Sequence, residues 1–265
     1  LMTSILIIFY LVIEFAIFIL IFNLRKKSLW IATNFDEKPK FDKNKVKLFI
    51  ENTFNKNLGW NRKPRTTGTE KTFKKKTKFS ITLDGARKSK YSLKKNKRIA
   101  VFGDSFVFSR YVNDHNAWPE HISRLTKSHI MNFGVGNFGF DQALIKYENL
   151  KLPKSVKVVI IGVVPETISR IHSHWKHYYE HGNIFGFKPF YKLINKKKFR
   201  LIKNPIRGIQ SFEKIEQIIN SVRQKDIFYK KKFKKFKFTF PYTLSIFKLF
   251  PLKFFLLYYL FNSIF

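Results

Sequence analysis

The stretch Arg98–Phe106, which reads RIAVFGDSF, decides the predicted fold. Its first five residues form a short apolar run that stops at a glycine, a pattern typical of a buried strand in a parallel sheet. Two further runs of this kind occur at His129–Phe133 and Val156–Ile161, and helical patterns at 117–128 and 141–150 separate the three runs. This alternation of strands and helices predicts an α/β domain built on a parallel sheet.

The composition excludes several classes of protein. The chain has 265 residues, of which 45% are hydrophobic and 18% aromatic, so there is enough apolar surface to form a core. A disordered or collagen-like chain is therefore excluded. The chain contains no cysteine, which excludes a disulfide scaffold, a thiolate zinc site and a cysteine nucleophile.

The balance of charge is strongly basic, with 52 Lys and Arg residues against 17 Asp and Glu residues, a formal net charge of +35. Such an excess suits a nucleic-acid or anionic-membrane partner. The lysines are nevertheless spread along the chain among many Asn, Ile and Phe residues, which favours general compositional drift. The segment Lys230–Phe240 interleaves lysine with phenylalanine, but no nucleic-acid-binding motif accompanies it. We expect no specific nucleic-acid partner.

The N-terminal segment Met2–Phe22 is apolar, with Glu14 as its only formal charge. At about 1.5 Å per residue, a helix of this length spans the roughly 30 Å hydrocarbon core of a bilayer. A cleaved signal peptide has a shorter apolar stretch and a small-residue cleavage site, and neither is visible here. We therefore expect a single-pass membrane protein that is anchored by residues 1–27.

Two further regions follow the predicted anchor. Residues 28–96 are predicted to be a lysine-rich linker and a small β-containing lead-in, with a short helix at 45–54 and a strand at 78–83. Residues 97–265 are predicted to form the α/β domain, with a lysine-rich loop after Phe190. Its last part, residues 242–265, is very apolar but is interrupted by lysines and a proline, which favours a buried or interfacial helix over a second membrane span.

Residues suited to acyl transfer follow the predicted strands, where ligands of open α/β sheets bind. Gly103-Asp104-Ser105 comes after the first strand, the glycine-rich segment Asn132–Gly139 after the second, and Gly162–Thr167 after the third. A serine hydroxyl beside free backbone N–H groups suits nucleophilic attack on a carbonyl and stabilisation of the resulting oxyanion. The alternative is a simple strand-to-helix turn in which Ser105 caps the helix.

From about residue 97 to 170 the chain resembles the SGNH/GDSL hydrolase superfamily. The segment Val101–Phe106 is similar to the first sequence block of that family, which implies that Ser105 is the nucleophile. The segment Asn132–Gly139 resembles the second block, which implies that the N–H group of Gly136 stabilises the oxyanion.

The likeness extends to residues outside these two blocks. Trp118-Pro119 lies between them and Asp141-Gln142 follows them, as in membrane-anchored SGNH proteins of bacteria. Several of those proteins act on acylated surface carbohydrates. Together with the alternating strands and helices, the resemblance implies a flavodoxin-like three-layer sandwich with a parallel sheet.

The chain departs from the family pattern in two places. The third block of the family carries an asparagine that completes the oxyanion hole, whereas Gly162–Glu166 has none and ends in a carboxylate. The fifth block, Asp-x-x-His, supplies the general base, and none of the seven histidines has an aspartate three positions earlier. We expect this block to lie beyond Phe265 in a longer protein. A base from elsewhere in the chain and a non-catalytic relative are the alternatives.

A run of histidines after the third strand is the candidate substitute for that base. On a helix, His174, His177 and His181 share one face, a spacing compatible with a metal site. A polar helix packed through its aromatic neighbours is the interpretation we favour, and we expect no metal and no cofactor. If the run is functional, it lines the substrate cleft. The predicted cleft residues are Asp104, Asn137, Glu166, His172 and His174.

The sequence therefore predicts a membrane-anchored SGNH-like serine ester hydrolase or O-acyltransferase. By resemblance, its substrate is an acylated glycan or a small ester, and its catalytic domain is extracytoplasmic. A cytoplasmic domain is the alternative, because Arg25-Lys26-Lys27 follows the apolar segment. A non-catalytic SGNH-like protein that binds or assembles glycans is one alternative. A basic protein that binds membrane surfaces through charge is the other, and its binding would weaken steeply with salt but would not depend on Ser105.

Overall fold

The computed structural model describes residues 2–25, 37–73, 75–89, 98–180, 182–196, 198–230 and 237–249. The helices in these ranges are α1 Met2–Leu24, α2 Lys43–Asn52, α3 Ser105–Phe108, α4 Trp118–Thr126, α5 Phe140–Asn149, α6 Pro165–Ile171, α7 Lys176–Tyr179, α8 Ile215–Lys225 and α9 Tyr242–Leu249. The strands are β1 Phe54–Asn55, β2 Gly59–Trp60, β3 Thr67–Lys71, β4 Lys76–Ser80, β5 Arg98–Phe102, β6 His129–Asn132, β7 Val156–Ile161, β8 Phe190–Asn195 and β9 Lys198–Ile202.

The central feature is a parallel sheet of three strands in the order β6-β5-β7. These are the three apolar runs of the sequence, and the helices α4 and α5 lie between them along the chain, as the pattern predicts. The α/β class with a parallel sheet is therefore confirmed. Three antiparallel hairpins, β1-β2, β3-β4 and β8-β9, accompany the sheet.

One face of the sheet is packed against α5. Phe102 and Phe133 stack with their ring centroids 5.1 Å apart, and Tyr147 of α5 meets Phe102 edge-on at 5.5 Å. Ala100, Met131 and the remaining residues of this cluster are buried with them. Burying these side chains is the main favourable contribution to the stability of the sheet.

The opposite face of the sheet is only partly covered. Val101 and Ile130 are buried there beside Val107 of α3. Two residues of the neighbouring strand β7 on this face, Val158 and Ile160, are 47% and 45% exposed. The described residues therefore provide a full layer on one side of the sheet only.

The described residues fall into two compact units that are not continuous in sequence. One contains residues 43–174 and 187–213, and thus the sheet together with the hairpins. The other contains the described parts of residues 1–42, 175–186 and 214–265, and thus α1, α7, α8 and α9. The predicted divisions after residues 27 and 96 remain a prediction.

Two local expectations from the sequence are wrong. The histidine run does not lie on one continuous helix, because α6 ends at Ile171 and α7 begins only at Lys176, so His174 and His177 do not share a helical face. His181 lies outside the described residues. The lysine-rich segment after Phe190 is the hairpin β8-β9, although no strands were predicted there.

The helix α1 is long and apolar enough to cross a bilayer, and it alone meets that criterion in the ranges that the structure describes. A signal sequence near the N-terminus has the same properties, so the length of α1 does not by itself establish an anchor.

Candidate active site

Ser105 is the first residue of α3, directly after the carboxyl end of β5. Asp104 precedes it as the N-cap and accepts a hydrogen bond from the N–H group of Phe106 at 2.9 Å. A carboxylate at this position satisfies an N–H group that the helix leaves unpaired. The capping role thus falls to Asp104. The half-buried Ser105 hydroxyl makes no hydrogen bond to any residue that the structure describes.

The glycine-rich loop after β6 lies directly against α3. The N–H group of Val135 donates to the carbonyl of Gly103 at 3.0 Å. A Cβ atom at Gly134 would lie 2.4 Å from the backbone nitrogen of Phe108, so only glycine permits this approach. The loop after β6 and the first turn after β5 therefore meet at one edge of the sheet.

Asn132 ties the two segments together through its side chain. Its amide nitrogen donates to the carbonyl of Val107 at 2.9 Å, and its amide oxygen accepts from the N–H group of Gly134 at 3.0 Å. Asn132 is 3% exposed, so both bonds are shielded from water. Buried hydrogen bonds of this kind hold the loop in one position relative to the helix.

Gly136, the predicted oxyanion glycine, is connected to Ser105 through Arg110. The N–H group of Arg110 donates to the carbonyl of Ser105 at 3.1 Å, and its Cδ atom lies 3.6 Å from the place a Cβ atom would take at Gly136. The carbonyl of Gly136 accepts a hydrogen bond from the indole of Trp60 at 3.0 Å. The Arg110 Nε atom lies 3.3 Å from a carboxylate oxygen of Glu70.

The end of β7 reaches the same edge of the sheet. A Cβ atom at Gly103 or at Gly162 would come within 2.4 Å of Val107 Cγ2, so both glycines leave room for this side chain. Arg170 of α6 lies nearby, with its Nη1 atom 4.0 Å from Asp104 Oδ2 and 2.9 Å from the carbonyl of Phe138. Segments that follow all three strands therefore meet here.

The predicted cleft residues occupy different environments. Asp104 is buried, and Asn137 is half-buried with a left-handed φ of 69°. His172 is exposed at the end of α6. His174 is buried, its Nδ1 atom is 2.6 Å from the carbonyl of Lys188, and its ring packs on Phe190.

Glu166 is the remaining predicted cleft residue. Glu166 lies in α6, and its side chain is outside the described part of the structure. No group of three or more His, Cys, Asp or Glu side chains in the described ranges is arranged to hold a metal ion.

The residues outside the two sequence blocks, Trp118, Asp141 and Gln142, make contacts around the site. The indole of Trp118 donates to the carbonyl of Phe106 at 3.1 Å. Asp141 forms an ion pair with Lys188, and burial raises the pKa of this carboxyl group despite the lysine. Gln142 accepts from the N–H group of Gly139 at 3.1 Å and donates to the carbonyl of Leu58 at 2.7 Å.

Arg87 is a supporting residue that the sequence did not reveal. Its guanidinium group donates to the carbonyls of Phe108 and Ser109 at 2.6 and 2.7 Å, and to that of Val112 at 2.6 Å. Its Nε atom pairs with Asp114 at 2.8 Å. Arg87 therefore holds the carboxyl end of α3, where a cation also interacts favourably with the helix dipole.

Lys146 is the second supporting residue that sequence reasoning missed. Its ammonium group, on α5, donates to the carbonyl of Phe133 at 2.9 Å and to Asn61 Oδ1 at 3.1 Å. Burial, with a smaller contribution from the positive charge of Arg62, lowers the pKa of Lys146 to about 7. No pattern in the sequence indicates either role, because the partners are distant along the chain.

Compared with known protein families and with curated proteins, the chain matches none. The site is therefore interpreted from its own geometry.

Proposed function

We propose that this chain is a membrane-anchored serine ester hydrolase or O-acyltransferase of the SGNH type that acts on acylated carbohydrate. The observation that carries the proposal is the meeting of the Ser105 helix and the glycine-rich loop at one edge of the sheet. In this proposal the sheet belongs to a flavodoxin-like three-layer sandwich, α1 is a single-pass anchor, and the catalytic domain is extracytoplasmic.

In the proposed reaction the Ser105 hydroxyl oxygen attacks the carbonyl carbon of the ester. A general base takes the hydroxyl proton and returns it to the departing alcohol oxygen as the ester bond breaks. The resulting acyl-serine then reacts with water, which gives hydrolysis, or with a hydroxyl group of a second glycan, which gives transfer. Support for this role comes from the position of Ser105 at a helix N-terminus with no competing hydrogen bond among the described residues.

The proposed oxyanion hole consists of the backbone N–H groups of Ser105 and Gly136. Such donors stabilise the tetrahedral intermediate when they are fixed before the reaction. The hydrogen bonds of Asn132, the indole bond to the Gly136 carbonyl and the ammonium bond of Lys146 all hold this loop in place.

The proposed reaction requires a general base near Ser105. His172 is exposed after the third strand, whereas a ring nitrogen of His174 lies 2.6 Å from a backbone carbonyl. We propose that His172 supplies the base.

Labelling with a fluorophosphonate probe tests the proposal. An activated serine displaces fluoride from phosphorus and becomes covalently labelled, so peptide mass spectrometry should find the label on Ser105. The full chain in detergent should also hydrolyse a short acyl ester, and Ser105→Ala should abolish both signals. Ser155→Ala is the matched control, because Ser155 precedes β7 at the other end of the strands. This variant should keep both the labelling and the ester hydrolysis.

Two results would contradict the proposal. Ester hydrolysis that survives in Ser105→Ala would place the chemistry elsewhere. A full chain that has neither labelling nor hydrolysis, while it retains glycan binding, would support the non-catalytic alternative.

A further inference from the structure

The helix α9 lies against α1, and its first turn contacts Glu14. The N–H groups of Tyr242 and Thr243 donate to the two carboxylate oxygens of Glu14 at 2.5 and 3.1 Å, and the Thr243 hydroxyl also donates to this carboxylate. Glu14 is 2% exposed. Its carboxylate therefore caps the N-terminus of α9, which favours a negative charge.

Apolar contacts extend this pairing along one side of α1. Ile21 and Phe238 are buried against each other. The ring of Phe18 lies 5.6 Å from that of Tyr242. The partly buried residues of the same cluster are Ile17, Leu24, Tyr242 and Ile246. The contact between α1 and α9 is thus an apolar surface that encloses the Glu14 carboxylate and its hydrogen-bond donors.

Glu14 lies close to the middle of α1. The helix has 23 residues, which at 1.5 Å per residue makes it about 35 Å long, and Glu14 is about 18 Å from its N-terminal end. The hydrocarbon core of a bilayer is roughly 30 Å thick. If α1 is the membrane anchor of the proposed function, the N-terminus of α9 therefore lies at the depth of the acyl chains.

Ser245 provides hydrogen-bond partners for part of the backbone that leads into α9. The Ser245 hydroxyl accepts from the N–H group of Thr239 at 3.2 Å and donates to its carbonyl at 2.6 Å. The N–H group of Ser245 donates to the carbonyl of Pro241 at 3.0 Å. Non-helical backbone at membrane depth requires partners of this kind, because hydrocarbon offers none.

The side of α9 that does not contact α1 is apolar and exposed. Leu244 is 47% exposed and Phe247 is 74% exposed. Lys248, in the last turn, is exposed and lies about 9 Å along the axis from Tyr242, a distance from which a long side chain can reach the membrane surface. These properties fit lipid acyl chains on the first two turns and water or headgroups at the lysine.

We infer that α9 inserts into the bilayer beside α1, with Glu14 as the cap that satisfies its first turn within the hydrocarbon. Its Leu244 and Phe247 face contacts lipid acyl chains. This inference rests on α1 being a membrane anchor, and it replaces the buried or interfacial helix expected from the sequence with an inserted one. It also accounts for a carboxylate in the middle of an apolar helix.

Single-cysteine fluorescence quenching tests this placement, and the chain has no native cysteine to interfere. Leu244→Cys and Phe247→Cys are labelled with an environment-sensitive dye in the full chain and reconstituted into phosphatidylcholine vesicles. Ile7→Cys in α1 is the reference within the membrane, and Leu48→Cys in α2 is the aqueous reference. We expect nitroxide at the middle of the lipid chains to quench the two α9 dyes as it quenches Ile7→Cys, whereas iodide quenches only Leu48→Cys.

Other outcomes separate the two hypotheses. If headgroup nitroxide or iodide quenches the α9 dyes while mid-chain nitroxide quenches Ile7→Cys, the inserted helix is wrong and the anchor stands. If iodide also quenches Ile7→Cys, the anchor fails and the inserted helix fails with it.

Substitution of Glu14 tests the cap itself. Glu14→Leu is combined with the dye at Leu244→Cys. In this protein the dye should be quenched less by the mid-chain nitroxide and more by iodide, because the first turn of α9 loses its acceptors. Glu14→Gln keeps an acceptor oxygen and should retain most of the mid-chain quenching. Equal quenching depth in all three proteins would show that Glu14 does not hold α9 in the bilayer.

Discussion

Ser105 is the first residue of α3, and the C-terminal end of this helix is held by a single buried cation. Arg87 is 3% exposed and donates to three carbonyls at the end of α3 and just beyond it. Lys146 similarly donates to the carbonyl of Phe133, within the loop that approaches the same helix. At the scale of single residues, the candidate site is therefore held by two buried basic side chains that do not react themselves.

Replacing Arg87 should destabilise the unit that contains the sheet. Arg87→Met leaves Asp114 without its partner and three carbonyls without donors, so we expect a loss of about 3–5 kcal/mol in the free energy of unfolding. Arg87→Lys keeps the charge but loses the planar guanidinium group. Its free energy of unfolding should lie between those of the native chain and of Arg87→Met. Urea denaturation followed by tryptophan fluorescence measures the difference. A stability of Arg87→Met equal to that of the native chain would contradict this role.

Lys146 should make the stability of the fold depend on pH. Its pKa is lowered to about 7 in the folded protein, whereas the unfolded chain binds this proton up to a pH of about 10.4. Between these values the unfolded state carries the additional proton, so the free energy of unfolding should rise by about 1.4 kcal/mol per pH unit from this residue. Below pH 7 both states are protonated and the contribution is constant.

The control for this pH dependence is Lys146→Met, in which the rise above pH 7 should disappear. Denaturation of both proteins at a series of pH values between 6 and about 9 provides the comparison. An identical slope in the two proteins would show that another group is responsible.

At the scale of elements, the site depends on a close approach of α3 and the loop after β6. The loop reaches the backbone of Phe108 only because position 134 lacks a side chain, whereas position 136 has ordinary space. The glycines at 103 and 162 serve a different purpose, since they accommodate Val107 between the ends of β5 and β7.

This difference predicts unequal effects of two alanine substitutions. Gly134→Ala places a Cβ atom 2.4 Å from the nitrogen of Phe108, so the loop must move and the protein should lose about 1–3 kcal/mol of stability. Gly136→Ala meets its nearest atom at 3.6 Å and should retain nearly native stability. Thermal unfolding of both variants tests this, and similar losses in the two would contradict the proposed close approach.

At the scale of the whole molecule, the chain has two features that can bind a membrane, an apolar helix and a very basic composition. The formal charge of +35 attracts anionic surfaces, and this attraction is screened by salt. Insertion of α1 depends on apolar surface and is not screened. The two modes of binding therefore differ in their response to ionic strength and to the charge of the lipid.

Vesicle flotation distinguishes the two modes of binding. The full chain should float with neutral phosphatidylcholine vesicles and should remain bound in about 1 M salt, where the screening length is only about 3 Å. Deletion of residues 2–24 should abolish flotation with neutral vesicles. Release of the full chain by salt would favour the basic surface-binding alternative over the anchor.

The hairpin β8-β9 illustrates which elements sequence reasoning misses. The three strands of the sheet were predicted because each is a short apolar run. Most residues of β5 and β6 are buried, whereas β7 is partly buried, on one face only. Most residues of β8 and β9 are exposed. The sequence of β8 does not alternate, and that of β9 alternates only over Lys198–Leu201, which is too short to indicate a strand by itself. The prediction of one helix for the histidine run was wrong for a related reason, since a spacing that fits one helical face does not require the chain to be helical.

The sequence by itself determined the three parallel strands, the helices between them and the position of Ser105 after the first strand, because these depend on local periodicity and on residues a few positions apart. Only the tertiary structure decided what holds that serine and what Glu14 does. Lys146 contacts Asn61 across 85 positions, and Glu14 contacts Tyr242 across 228. Such partners are brought together by packing of the core and of α1 and α9, and no local pattern in the chain specifies them.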